Sequence, residues 1–213
     1  MTPDRLVIFD CDGVLVDSEP LANAVLHAEL ARAGLGLSLE ESTSLFTGLS
    51  LASCLAVIEA RLGGPPPEDF LPRLRAGVVE RFRKELAPVP GVADVLRGLD
   101  APRCVASSGS HEKIRFSLSL TGLDGWFGDD DIFSADDVAR GKPAPDLFLH
   151  AAARKGREPG HCVVVEDSVP GVQAARAAGM RVLGFAARSE AAALAAAGAD
   201  AVFGDMRELP SLL

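Results

Sequence analysis

The sequence predicts an α/β protein: a doubly wound parallel sheet with helices on both faces and a helical domain inserted into it. Three features lead there: short apolar runs without polar alternation, helix-forming stretches between most of them, and one long interval of helical pattern only. The runs are Leu6–Phe9, Cys104–Ala106, Asp131–Phe133, Cys162–Val165 and Val182–Phe185, with Ala201–Phe203 as a candidate sixth. A strand wetted on one face alternates apolar and polar residues, whereas a strand in a parallel sheet is covered on both faces and reads as continuously apolar. Between the runs lie His111–Leu120, Asp146–Lys155 and Val169–Ala178, followed by Gly122, Gly156 and Gly179, where a left-handed residue closes a helix. Strand and helix in alternation build a doubly wound sheet.

The interval from Ser18 to about Ala87 breaks that rhythm. It contains helical patterns at Glu19–Ala33 behind a Ser18 N-cap, Leu39–Phe46, Leu51–Leu62 and, after Pro65–Pro67, Glu68–Leu86. A stretch of that length is too long for an unstructured connection in a compact domain, so it folds as an insert with its own small core. The expected division is a discontinuous core, 1–16 and 88–213, and a helical cap domain, 17–87, hinged near 14–18 and 86–90. The alanine-rich segment Ala191–Ala197 reads as one more surface helix.

Composition narrows the function classes. The chain has 213 residues with 48% hydrophobic and 24% charged, a globular balance, and no apolar run approaches bilayer length. The apolar stretch after Met1–Arg5 is too brief for a signal peptide, so a cytoplasmic protein, expected to be a monomer, is the reading. A net charge of −9 and the lack of a basic, aromatic-rich stripe argue against nucleic acid as a partner. Arg81, Arg83 and Lys84 read as a solvated helix face. Cys11, Cys54, Cys104 and Cys162 are widely spaced, which suits small apolar core residues better than disulfides or a zinc site.

In an open parallel sheet ligands bind beyond the carboxyl ends of the strands. Those ends read Asp10-Cys-Asp-Gly13, Ser107-Ser-Gly-Ser110 and Glu166-Asp-Ser168, and the loop before the Asp146 helix carries Gly141-Lys-Pro-Ala-Pro-Asp146. Brought together, Asp10, Asp12, Glu166 and Asp167 repel one another unless a cation neutralises them. Hard oxygen donors without nitrogen or sulfur ligands make Mg²⁺ the expected ion. Lys142, Ser107 and the backbone N–H groups around Gly13, Ser108 and Gly109 supply positive charge and donors for phosphate oxygens. Phosphoryl transfer asks for an in-line nucleophile and charge neutralisation. Asp10 fits the nucleophile, and Asp12, two positions on, fits the acid that protonates a leaving alcohol and then activates water.

These four motifs, in this order and spacing over nearly the whole chain, resemble the haloacid dehalogenase-like superfamily in its helical-cap branch, with members of β-phosphoglucomutase and phosphoglycolate phosphatase type. Asp10-Cys-Asp-Gly-Val14 resembles its first motif, Val105-Ala-Ser107 its second, Gly141–Asp146 its third and Val164-Val-Glu-Asp-Ser168 its fourth. The resemblance implies a Rossmann-like sheet of order 5-4-1-2-3. It also implies Asp10 as nucleophile, Asp12 as acid/base and as a magnesium ligand through its carbonyl, and Ser107 and Lys142 as phosphate binders, with the Ser108 loop beside them. Asp167 is an implied magnesium ligand, and Glu166 another, directly or through water.

Within that superfamily a carboxylate at Asp12 favours phosphoryl transfer over dehalogenation, and the absence of lysine between Ser18 and Arg83 disfavours a Schiff-base phosphonate hydrolase. Mutase-type members carry a cap histidine and arginine where this chain has Ala22 and Leu51. A phosphatase acting on a small phosphorylated metabolite is therefore the expected function, with cap closure excluding water. The rivals are a phosphosugar mutase and a catalytically idle binding module. His27, His111, His150 and His161 receive no catalytic task. The acidic runs at 129–131 and 136–137 read as solvated loops, Trp126-Phe127 as a core anchor, and Phe46–Leu51 either as a border of the substrate side of the cap or as inter-helix packing.

Overall fold

The structure is a computed structural model that describes residues 5–46 and 51–213. Among the described residues, six parallel strands form one sheet: β1 (Leu6–Phe9), β2 (Arg103–Ser107), β3 (Ile132–Ser134), β4 (Cys162–Glu166), β5 (Arg181–Phe185) and β6 (Ala201–Phe203). Their order is 3-2-1-4-5-6, so the expected five-strand order is present and Ala201–Phe203 extends it beside β5. All four residues of β1 are fully buried, in keeping with the most central position and with apolar side chains on both faces. Asp131 lies outside β3; it closes a tight turn in which its carboxylate accepts from Gly128 N–H at 2.9 Å and pairs with Lys155. A charge without partners is costly inside a strand covered on both sides, and the turn supplies Asp131 with its partners.

Ten α-helices follow in chain order among the described residues: α1 (Glu19–Arg32), α2 (Leu39–Phe46), α3 (Leu51–Leu62), α4 (Phe70–Glu85), α5 (Val92–Gly98), α6 (His111–Leu120), α7 (Asp146–Arg154), α8 (Val169–Ala177), α9 (Ala191–Ala196) and α10 (Leu209–Leu212). None is long and apolar enough to cross a membrane. Gly122, Gly156 and Gly179 take left-handed φ of 68°, 63° and 73° just past α6, α7 and α8, as their placement in the sequence predicts. Ser18 does not cap α1: its backbone is already helical, φ −87° and ψ −29°, and its side chain makes no capping bond. A capping hydroxyl requires an extended residue. Helix α5 was not legible in the sequence, because seven residues directly behind Pro90-Gly91 are too few to show a period.

The chain divides into two compact units, residues 1–17 with 87–213, and residues 18–86. In the first, Leu6 and Ile8 of β1 pack with Cys104 and Ala106 of β2, Val164 of β4, Leu147 and Phe148 of α7, and Val172 of α8. Phe127 is buried and meets Phe9 edge-on with centroids 6.4 Å apart, while Trp126 beside it is only partly buried. The two chain crossings that leave and re-enter this unit are paired: Asp17 N–H donates to Ala87 O at 3.0 Å and Val89 N–H to Leu15 O at 2.9 Å. The second unit holds its own core of Leu30, Phe46, Cys54, Ile58 and Phe70. Arg81, Arg83 and Lys84 are exposed on α4, with Arg81 paired to Glu85 and Lys84 to Glu80. The expected substrate border Phe46–Leu51 falls largely on residues 47–50, outside the described residues.

All four cysteines are buried and unbridged, as small core residues. Ile8 sits between β2 and β4 with no solvent exposure. Ile8→Ala is expected to lower unfolding stability by ~2–5 kcal/mol, read from urea midpoints at constant m-value. A loss below ~1 kcal/mol would show that β1 is not the packed centre.

Candidate active site

The strand order sets β1 between β2 and β4, and their carboxyl ends lie side by side where the order of successive strands reverses. Asp10 is the first residue past β1 and its N–H donates to Val165 O of β4 at 3.0 Å. The chain then turns tightly: Gly13 N–H donates to Val16 O at 2.8 Å, and the N–H groups of Leu15 and Val16 donate to Cys11 O. Gly13 has φ +78°, and a Cβ there would stand 2.0 Å from Asp167 Oδ2, so both the turn and the neighbouring carboxylate demand glycine. Asp167 follows β4 and is 8% exposed.

Lys142 draws the strand ends together. Its ammonium donates to Asp10 Oδ1 at 2.6 Å, to Glu166 Oε1 at 2.6 Å and to Ala106 O of β2 at 3.1 Å. The side chains are 4% exposed for Lys142, 10% for Asp10 and 1% for Glu166. Glu166 closes β4 rather than lying in the first turn of α8. Its Oε2 accepts from Ser168 N–H at 2.8 Å and from the Ser168 hydroxyl at 2.9 Å. Ser168 Oγ in turn accepts from Gly171 N–H at 3.1 Å, capping α8. A Cβ on Gly171 would fall 1.8 Å from Glu166 Oε1, so the helix start is cut to fit that carboxylate.

Burial pushes Asp10 up to about 7; the Lys142 ammonium works against that shift, and Glu166 and then Asp12 reinforce it. Burial by itself would depress Lys142, but Asp10 and Glu166 outweigh it and hold the ammonium above its ordinary value. The thiol of Cys11, between the two aspartates, is raised by burial and then by both carboxylates, which leaves it protonated and unsuited to metal binding.

The remaining expected residues stand around this cluster. Ser107 ends β2, is 1% exposed, and accepts from Gly109 N–H at 3.3 Å. Ser108 is exposed on the same loop and takes no part in the Lys142 bonds. Asp12 lies on the turn past β1 with its side chain 28% exposed, and its Oδ2 accepts from Lys113 Nζ at 2.6 Å. Lys113 and Ser134 were not singled out in the sequence, and Ser168 was quoted in its motif without a role. Ser134, at the end of β3, donates from its hydroxyl to Gly109 O at 2.7 Å and steadies the Ser107–Ser110 loop. The signal for Lys113 is its place in the first turn of α6, where a cation opposes the helix dipole and needs an acid nearby. His111, given no catalytic task, lies 2.9 Å from Asp137 Oδ1, and Asp137 also accepts from Ser134 N–H.

Among the described residues, no three His, Cys, Asp or Glu side chains form a closed metal cage. Mg²⁺ does not need one, since it takes one or two carboxylates and fills its other positions with water and substrate phosphate. The Asp167 carboxylate lies against the Gly13 turn, and burial, reinforced by Glu166 and Asp12, keeps Asp10 raised. A hard divalent cation fits that donor set.

The pattern of the haloacid dehalogenase-like hydrolases matches residues 5–179. The chain is 34% identical to the 6-phosphogluconate phosphatase of Escherichia coli (strain K12), over 88% of this chain and 85% of that one. It is 34% identical to the fructose-1-phosphate phosphatase of the same organism, over 82% and 92%. Among solved structures, a haloacid dehalogenase-like protein from Agrobacterium tumefaciens superposes with a TM-score of 0.88 at 40% identity, covering 98% of this chain and 96% of that one. A hydrolase of this family from Deinococcus radiodurans, with bound phosphate and sodium, superposes with a TM-score of 0.84 at 34% identity, covering 100% and 96%.

The raised Asp10 fixes the sign of a pH effect. Unfolded, the group loses its proton near 3.8; folded without metal, it keeps it to about 7, so the folded chain binds more protons in between. This contribution to stability is complete below the unfolded value and is lost as pH rises through the folded one. Urea midpoints in EDTA are expected to fall between pH 5 and pH 8 more steeply in the wild type than in Asp10→Asn. Equal slopes in the two proteins would refute it.

Proposed function

Because the chain belongs to the haloacid dehalogenase-like hydrolase family, we propose that it is a magnesium-dependent phosphatase of small phosphorylated sugars or related polyols and acids, with Asp10 as nucleophile. The observation that carries this reading is the Lys142 ammonium joined to both Asp10 and Glu166 at the carboxyl ends of the central strands. A carboxylate placed to attack phosphorus, beside a buried cation and a loop of hydroxyl and N–H donors, meets the demands of phosphoryl transfer.

In the first step an Asp10 carboxylate oxygen forms a bond to phosphorus while the bond from phosphorus to the alcohol oxygen breaks, and Asp12 gives that oxygen a proton. In the second, water attacks the phosphorus of the aspartyl-phosphate, Asp12 takes up the water proton, and Asp10 is released with inorganic phosphate. Lys142, Ser107 and the Ser108–Gly109 backbone bind the phosphoryl oxygens. Asp10, the Asp12 carbonyl and Asp167 would hold Mg²⁺, with Glu166, whose oxygens are already bonded to Lys142 and Ser168, reaching it through water; the ion would supply positive charge that keeps Asp10 ionised and offsets the phosphoryl charge. Water is the acceptor in this reading, since Ala22 and Leu51 bring no polar side chain with which to hold a sugar for phosphoryl return.

Phosphate release from 6-phosphogluconate, fructose 1-phosphate and a hexitol phosphate should require Mg²⁺, vanish in EDTA and return on adding the metal. Asp10→Asn should lose at least about 10³-fold in kcat. Activity retained in that variant removes Asp10 from the role, and conversion of a hexose 1-phosphate to its 6-phosphate faster than hydrolysis would make sugar the acceptor.

A further inference from the structure

Lys113 is bonded to the Asp12 side chain, and nothing in the phosphatase chemistry above gives it work. Its ammonium donates to Asp12 Oδ2 at 2.6 Å across 101 residues of chain, joining the turn past β1 to the first turn of α6. The position is built rather than incidental. Ser110 Oγ accepts from Lys113 N–H at 3.3 Å and starts α6 there. A Cβ on Gly109 would stand 3.3 Å from Lys113 Cδ, so the stem lies over a residue without a side chain. Ser134 fixes Gly109 from the far side through its carbonyl. A lysine in the first turn of a helix opposes the dipole, a cost offset here by Asp12.

Resting on the phosphatase reading, we propose that Lys113 is a positioning residue for Asp12, aiming its carboxyl at the oxygen of the leaving alcohol. Asp12 sits on a short turn with its side chain 28% exposed, far less enclosed than that of Asp10, so packing alone does not settle its direction. A bond to Oδ2 from a ring-like anchor of Ser110, Gly109 and Lys113 does. The same loop carries Ser107, so the group that donates the proton is tied to the loop that holds the phosphate. No bond in the reaction is made or broken at Lys113. The proton passes from Asp12 to the departing oxygen as the bond to phosphorus breaks, and Lys113 fixes only where Asp12 stands when it does.

This role has a signature that a structural or phosphate-binding lysine lacks. An alkyl phosphate releases a poor leaving group that needs the Asp12 proton, whereas p-nitrophenyl phosphate releases a phenolate that departs without one. Because kcat/KM covers the steps through first bond cleavage, it isolates this proton transfer from the later attack of water. Lys113→Met is expected to lower kcat/KM about 10- to 10²-fold for a hexitol phosphate and less than about 3-fold for p-nitrophenyl phosphate, with Lys113→Arg close to wild type on both. The Lys113 side chain is 44% exposed, so the variants should melt with the wild type; if Lys113→Met does not, Lys113→Gln is read by the same ratio. Equal losses on both esters, or no loss on either, overturn the proposal. A wild-type protein inactive on both esters overturns the phosphatase reading and this inference with it.

Discussion

Asp10 and Glu166 are two like charges placed side by side at the end of a dry sheet, and the rest of the site is arranged around making that tolerable. A buried carboxylate without a partner costs several kcal/mol, and a second one beside it adds repulsion. Lys142 answers both with one ammonium, at 2.6 Å from each. Its own desolvation is compensated by the same two bonds and by Ala106 O. The loop after β3 therefore has to return across β2 to reach β1 and β4, which ties three strands and a loop to a single nitrogen atom.

That demand spreads outward as a series of fits. Glu166 can turn one oxygen to Lys142 because Ser168 occupies the other with both its N–H and its hydroxyl. Ser168 can do so while capping α8 because Gly171, one turn on, presents no side chain to the carboxylate. Across the cleft Gly13 plays the same part for Asp167. The two glycines leave room for the Asp167 and Glu166 carboxylates that side chains would otherwise fill.

The two aspartates of the first turn end in different surroundings. Asp10 is buried against Lys142 and its carboxyl is raised; Asp12 is more open and held by Lys113. Chemistry that needs one carboxylate to attack and another to exchange protons benefits from such a division, because identical environments would give both groups the same behaviour. In this fold the division comes from strand geometry: one residue of advance past β1 in the direction of the sheet keeps Asp10 beside β4, and two more carry Asp12 onto the turn toward α6.

The strands were legible in the sequence because burial on both faces leaves a plain mark, an unbroken apolar run. Only Asp131 was misplaced among them, its charge belonging to the turn before β3. Helices with a clear period and a closing glycine, such as α6 and α8, were equally legible, whereas α5 is too short to show a period and Ser18 has the chemistry of a cap without the backbone to act as one. Asp10, Asp12, Lys142 and Glu166 could be singled out because strand ends in a parallel sheet are where ligand groups collect. Which of them touch, and that Lys142 spans Asp10 and Glu166, depended on the strand order and on a loop closing over 132 residues of sequence. Ser134 carried no mark of its own in the sequence, Lys113 only its place in a first turn, and Ser168 a place in a motif but no role. Their partners lie on other strands and loops, and a hydrogen bond exists only once packing has brought donor and acceptor within reach.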